Sequence, residues 1–328
     1  MEVYNLKSKK TLILIFALAM IASACSSAAV PCDEVEIGTG SNGLPDLDGC
    51  EFTFAVENAY LPFNYVDPAD GEAKGWDYDV FNHMAELMNF TPVYVPAAWD
   101  GMIQAVADGQ YMIAGDGISI TAERDKIVDF SDSYIVLQQR ILVAAGNDDI
   151  TSDADIVNGD GKVATQKGTT NYELAVSLFG EDKVDAYDTF DFAIAAVISG
   201  DAVASIVDEV AGLGYMGANK DKVKLVGDGL QTDPLGFAFP EGSPLVDVVN
   251  QGLADMKSSG KLTEINDKFF SPGFTVSYDD IAECDAQIPE DYLPEDCEVS
   301  VSYTHLRAHE TPEHAGMTVI GWKKTGGA

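Results

Sequence analysis

The sequence predicts an α/β protein of two lobes, and three observations carry that expectation. Its 328 residues exceed what one ordinary core holds and suit two. From Glu51 onward, strand-like and helix-like segments alternate, which places helices on both faces of a sheet. A second alternating set begins at Ile141, as if a second sheet followed the first. Hydrophobic residues make up 46% of the chain, which excludes global disorder.

The elements follow in order. Glu51 to Val56 alternates apolar and polar residues as a half-buried strand does. Val80 to Phe90 carries a helical apolar period (Val80, Phe81, Met84, Leu87, Met88), with Asp77 and Asp79 placed to cap its start. Thr91 to Pro96 reads as a strand, Gly101 to Ala107 as a helix and Tyr111 to Ala114 as a strand. In the second set, Ile141 to Ala145, Lys162 to Ala164 and Ala202 to Val207 are strands; Asn171 to Phe179 and Phe190 to Ser199 are helices. Helices over Pro244 to Ser258 and Leu262 to Phe270 close the fold. Gly-Asp-Gly at 159–161 and again at 227–229 read as turns, and neither completes a calcium loop.

The flanks read differently. Lys7, Lys9 and Lys10 precede an apolar run from Leu12 to Ala22, too short for the roughly 20 residues of a membrane span but suited to a secretory signal over residues 1–24. The run ends Ala22-Ser23-Ala24-Cys25, which resembles a bacterial lipoprotein cleavage site with Cys25 as the lipidated residue, although such sites usually carry Leu where Ala22 stands. Residues 25–49, rich in Ser, Gly, Asp and Pro, read as a linker. Residues 273–300 form an acidic extension holding Cys284 and Cys297, and 301–328 read as a non-native tail, since Ser302 to Thr311 resembles translated adapter text. His305, His309 and His314 lie in that tail, where His309-Glu310 is one residue too far from His314 for a zinc motif.

Beyond the signal, Cys32, Cys50, Cys284 and Cys297 make an even set, which reads as disulfides in an exported chain. Three pairings are open, and local pairing closes the shortest loops. With 54 acidic and 19 basic residues the net charge is -35, which opposes binding to nucleic acid or to anionic lipid. No P-loop, GxSxG or CxxC pattern occurs, so neither a cofactor nor a metal is implied.

The most informative run is Gly117-Ile-Ser-Ile-Thr-Ala-Glu-Arg-Asp-Lys-Ile-Val-Asp-Phe-Ser131. With Tyr60-Leu-Pro-Phe63, Gly75-Trp-Asp-Tyr-Asp79, Trp99-Asp-Gly-Met-Ile103 and Gly260-Lys-Leu-Thr-Glu-Ile265, it resembles the polar amino acid family (family 3) of periplasmic or extracellular solute-binding proteins of ABC transporters. The resemblance spans roughly residues 50–272, with the motifs in the family's order. It implies a type II periplasmic-binding-protein fold, two α/β lobes joined by two crossover strands with the ligand between them. The crossovers would fall near Leu137 to Arg140 and Thr232 to Leu235, giving a first lobe of 50–138 plus 235–272 and a second of 139–234.

Arg124 follows a strand and can hold a carboxylate by a bidentate fork; the resemblance assigns it the ligand's α-carboxylate, with Ser119 beside it and Gly117 letting backbone approach. Gly168-Thr169-Thr170-Asn171 opens a helix whose free amides form an anion site, implied to be the second grip through Thr169 and Thr170. Asp208 ends a strand; alone it reads as a helix cap, and by resemblance it pairs with the α-ammonium. Tyr60 and Trp99 would flank the ligand side chain. Glu57 and Asp116, the latter where relatives carry a small residue, would favour a cationic side chain: arginine, lysine, ornithine or histidine.

The function so implied is capture of a polar, basic amino acid by hinge closure and its delivery to a membrane permease, by a lipid-anchored monomer outside the cytoplasm. No bond is made or broken. Two alternatives stand: a cyclohexadienyl or arogenate dehydratase on the same fold, with Glu57 or Asp208 as acid or base, and an amino-acid sensor domain.

Overall fold

A computed structural model describes residues 30–276. The expected signal, Cys25, Cys284, Cys297 and the histidine-bearing tail lie outside the described residues. In chain order the strands and helices are β1 (Gly38–Thr39), β2 (Pro45–Asp46), β3 (Glu51–Val56), β4 (Ala59–Tyr60), β5 (Asn64–Val66), β6 (Ala73–Lys74), α1 (Trp76–Met88), β7 (Thr91–Pro96), α2 (Met102–Ala107), β8 (Ile113–Ala114), β9 (Val128–Phe130) and β10 (Ile135–Ala144). Then come α3 (Asp153–Asn158), β11 (Val163–Gln166), α4 (Thr170–Phe179), β12 (Val184–Tyr187), α5 (Phe190–Ser199), β13 (Ala204–Asp208), α6 (Glu209–Ala218), β14 (Val223–Leu235), β15 (Ala238–Pro240), α7 (Leu245–Ser259) and α8 (Lys261–Phe269). Among the described residues no helix is long and apolar enough to cross a membrane.

Two five-stranded sheets form the lobes, in the orders β7-β3-β8-β15-β9 and β12-β11-β13-β10-β14. In each, the strands of the alternating stretch are parallel (β3 with β7 and β8, β11 with β12 and β13), and strands reached by the chain's crossing are antiparallel. The crossing is a ribbon: β10 and β14 pair antiparallel from Ile135 opposite Leu235 to Ala144 opposite Val223. The first lobe's core is aromatic, with Phe52, Phe54, Phe81 and Phe90 in mutual contact at ring separations of 4.4–5.2 Å.

Four expectations are corrected. The first helix starts at Trp76, not Val80, and ends at Met88, where Asn89 turns left-handed (φ 53°). Asp77 therefore sits inside the first turn, fully buried, and neither it nor Asp79 caps the helix; Gly75 is the N-cap. Gly227-Asp-Gly229 is not a turn but a bulge inside β14, where the register shifts opposite Arg140. Arg140 fills the gap, donating from Nη2 to Gly227 O at 2.7 Å and from Nη1 to Glu209 at 3.0 Å. Residues 31–49 are not a free spacer. Leu47 is fully buried, its amide donates to Met88 O at 2.9 Å, and a Cys32–Cys50 disulfide across a separation of 18 residues fastens the segment to β3.

The fourth correction is α6, absent from the sequence reading because Gly212, Gly214 and Gly217 depress its helix propensity. The glycines serve packing. A Cβ at Gly217 would lie 2.2 Å from the carbonyl oxygen of Phe274, and one at Gly214 would meet Pro62 at 3.2 Å. Small residues thus let this second-lobe helix come against the first lobe.

Candidate functional site

The cleft between the sheets encloses about 280 Å3, part of it open to solvent. Nine of the ten ligand-site residues expected from the sequence line it: Tyr60, Trp99, Asp116, Gly117, Ser119 and Arg124 from the first lobe, Thr169, Thr170 and Asp208 from the second. Glu57 stands one residue back. Gln166, which does line the cleft, donates from Nε2 to Glu57 Oε1 at 2.7 Å across the lobes.

At one pole Arg124 opens a 3₁₀ turn after the β8–β9 loop. Its Nη1 donates to Ser119 O at 3.0 Å and Nη2 to Gly168 O at 3.4 Å. The guanidinium carbon lies 5.1 Å from the centre of the Trp99 ring, a stacking geometry that preorganises it. Among the described residues no carboxylate comes within ion-pair distance of it, so the fork is available to an anion. Burial lowers its pKa, but guanidinium stays charged near neutral pH. Gly117 adopts φ +57°, and a Cβ there would lie 2.7 Å from the Tyr60 ring; only glycine brings this backbone so close.

Facing Arg124 is the start of α4. The Thr169 hydroxyl is the N-cap, accepting from Tyr172 N at 3.1 Å and donating to Gln166 O at 2.7 Å, so it is fully engaged within its own turn. The Thr170 hydroxyl lies 3.1 Å from that of Ser119, joining the two lobes. This turn therefore offers a hydroxyl and helix-start amides to an anion.

At the second pole Asp208 occupies the N-cap position of α6 without making a side-chain cap bond, so the helix-cap reading does not apply. Its carboxylate is turned into the cleft, where Oδ2 accepts from the Tyr60 hydroxyl at 2.7 Å and Oδ1 from Asn171 Nδ2 at 3.1 Å. Burial raises its pKa to about 6, and the two donors oppose that shift. At pH 7 the carboxylate is mostly ionised, ready for a cation.

The remaining wall is acidic. Asp116 is 4% exposed, which excludes a solvent-facing role, and accepts from Asn64 Nδ2 at 2.9 Å. The same amide donates to the buried Asp77 at 2.8 Å, so one asparagine separates two carboxylates. Burial pushes Glu57 and Asp116 both upward, and repulsion by Asp116 raises Glu57 further. Glu57 Oε2 is buried without a hydrogen-bond partner. A cation arriving here would relieve a strained acid pair. The Tyr60 ring stacks between Phe63 at 5.3 Å and Phe190 at 5.0 Å, the latter from the second lobe.

Sequence reasoning missed Asn64, Gln166 and Phe190, and quoted Asn171 only as the end of a helix-start motif. Among the described residues no group of three His, Cys, Asp or Glu is arranged to hold a metal ion.

The model of bacterial extracellular solute-binding proteins, family 3, matches residues 52–272. The chain belongs to that family. This family 3 protein is similar to the L-cystine-binding protein TcyA of Bacillus subtilis, 28% identical over 220 residues that cover 66% of this chain and 80% of that one. Its structure resembles the ancestral amino acid-binding protein AncCDT-1, described as a precursor of cyclohexadienyl dehydratase (34% identity, TM-score 0.63, covering 67% of this chain and 96% of that one). It also resembles a putative ABC-transporter binding component of Wolinella succinogenes complexed with lysine (30% identity, TM-score 0.63, 67% and 95%). The fold is therefore the type II periplasmic-binding-protein fold, and the protein is a family 3 extracellular solute-binding protein.

Proposed function

We propose that this protein captures a basic amino acid in the cleft, closes its lobes around it and delivers it to a membrane permease, tethered outside the cytoplasm by a lipid on Cys25 and acting as a monomer. The observation that carries the reading is the charge layout. Arg124, with no carboxylate partner among the described residues, would grip the α-carboxylate together with Ser119, Thr170 and the α4 amides. Asp208, held by Tyr60 and Asn171, would take the α-ammonium. Glu57 and Asp116 would then face the end of the side chain, and two buried acids with no cation between them favour a positive one. The lysine in the Wolinella neighbour agrees with that layout.

Capture is a population shift: ligand bridges Arg124 of one lobe and Asp208 of the other, so it stabilises only the closed form. Thermal unfolding screened against the twenty amino acids, ornithine, citrulline and prephenate tests this. Ligand at 100 times its dissociation constant adds about 2.7 kcal/mol, a shift of several degrees. A response confined to arginine, lysine, ornithine or histidine supports the reading; a response only to neutral or acidic amino acids overturns the cationic pocket.

One observation favours a second reading. Glu57, buried behind the cleft wall with its pKa pushed up to about 9 by burial, is an acid of the kind a dehydratase uses, and AncCDT-1 is described as a dehydratase precursor. Turnover of prephenate or arogenate would establish it.

A further inference from the structure

We propose that Asp233 and Gln139, on the crossover ribbon, are positioning residues that set how readily the lobes close. The ligand arm of this proposal rests on the amino-acid-binding reading above; its hinge arm does not.

Asp233 lies on β14 and Gln139 on β10, one step apart diagonally, since Leu137 pairs with Asp233 and Gln139 with Gln231. Both are buried, at 5% and 0% exposure. Gln139 Nε2 donates to Asp233 Oδ2 at 2.7 Å and to Thr170 Oγ1 at 3.1 Å. Ser119 Oγ donates to the same Asp233 oxygen at 3.2 Å, and Gln231 Nε2 donates to the other at 2.9 Å. Among the described residues no cation lies within ion-pair distance of Asp233, and three hydrogen-bond donors hold its buried carboxyl group.

The sources of those bonds matter. Ser119 belongs to the first lobe, Thr170 to the second, and Gln139 and Asp233 to the ribbon both lobes share. Ser119 and Thr170 meet only when the lobes are together, so opening dismantles the node and leaves buried polar groups to water or to each other. The node also directs hydroxyls. Asp233 can only accept, which draws the Ser119 hydrogen toward it, while Gln139 donates to Thr170, so the Thr170 hydrogen is the one that bridges the lobes to Ser119 Oγ. Asp233 and Gln139 line no part of the cavity. Their effect therefore falls on closure and not on the choice of ligand.

The test uses the full chain with 5-fluorotryptophan and fluorine NMR. Trp99 lies in the cleft, and Trp76, fully buried in the first lobe, reports an intact fold. Asp233→Leu and, as a second variant of closer shape, Gln139→Met are compared with the unaltered protein. The expected result without ligand is a Trp99 resonance moved toward its solvent-exposed position with Trp76 unmoved. L-arginine and L-lysine then both bind about tenfold more weakly, by the same factor and through faster dissociation, because the competent closed population has fallen. A Trp99 resonance that stays in place in both variants overturns the proposal, as does a changed arginine-to-lysine ratio, which would make these residues ligand contacts. If neither amino acid binds the unaltered protein, the amino-acid reading fails, and the Trp99 shift still decides the hinge.

Discussion

The Tyr60 hydroxyl of the first lobe donates to the Asp208 carboxylate of the second at 2.7 Å, a buried bond that spans the cleft. It does two things at once. It holds the lobes together over the ligand site, and it keeps an acid ionisable where burial alone would neutralise it. The closed cleft thus holds two charges, Arg124 and Asp208, with no ion-pair partner among the described residues, which a zwitterion would satisfy together.

Asp208→Asn keeps the shape and removes the charge. Loss of a charge-assisted hydrogen bond of about 1.5–3 kcal/mol predicts roughly 10- to 100-fold weaker binding of every amino acid that binds at all. Calorimetric titration measures it; unchanged affinity would place the α-ammonium elsewhere.

Arg124→Lys keeps the charge and removes the planar fork and the Trp99 stack. Affinity should fall at least about tenfold, since a point charge does not replace bidentate recognition. A lysine variant that binds as well as arginine would show that charge alone sufficed.

The acid pair predicts a pH signature. The folded-state pKa of Asp116 lies above its unfolded value, so the residue costs nothing below about pH 4, where both states are protonated. As pH rises from there through the raised value, the unfolded chain releases its proton first and stability falls. Asp116→Asn removes that cost, so without ligand the variant should gain on the unaltered protein as pH goes from 4 to 8, by on the order of 2 kcal/mol. Denaturant unfolding at pH 4, 6 and 8 checks this, and a stability difference that stays constant or moves against the variant as pH rises would contradict it.

The architecture was largely legible because alternating apolar periods survive in any parallel α/β lobe: β3, β7, α4 and α5 lie where the pattern placed them. The charged ends of the cleft were legible through motif position. What escaped has a common cause. Asn64 and Gln166 are polar residues at strand ends, and nothing local distinguishes a buried amide bridging two acids from a loop residue. Residues 31–49 have the composition of a spacer, but backbone hydrogen bonds to α1 and a disulfide hold them, and neither leaves a hydropathy trace. In α6 the glycines that obscure the helix in sequence are the ones that let it approach the first lobe.

The Cys32–Cys50 bond closes a loop of 18 residues, which in the chain-entropy picture stabilises by roughly 3 kcal/mol. Replacing both cysteines by serine should lower the unfolding temperature by several degrees and leave ligand affinity unchanged, because the bond lies away from the cleft. An altered affinity would tie this segment to the site.

The central claim is that two buried acids read a positive side chain, and L-citrulline tests it, being nearly isosteric with L-arginine but uncharged. Titration calorimetry of both against the unaltered protein should give arginine the tighter binding by at least about 100-fold, the scale of about 2.7 kcal/mol for a cation meeting an unpaired buried acid pair. Equal affinity for the two, or tighter binding of citrulline, would contradict the account.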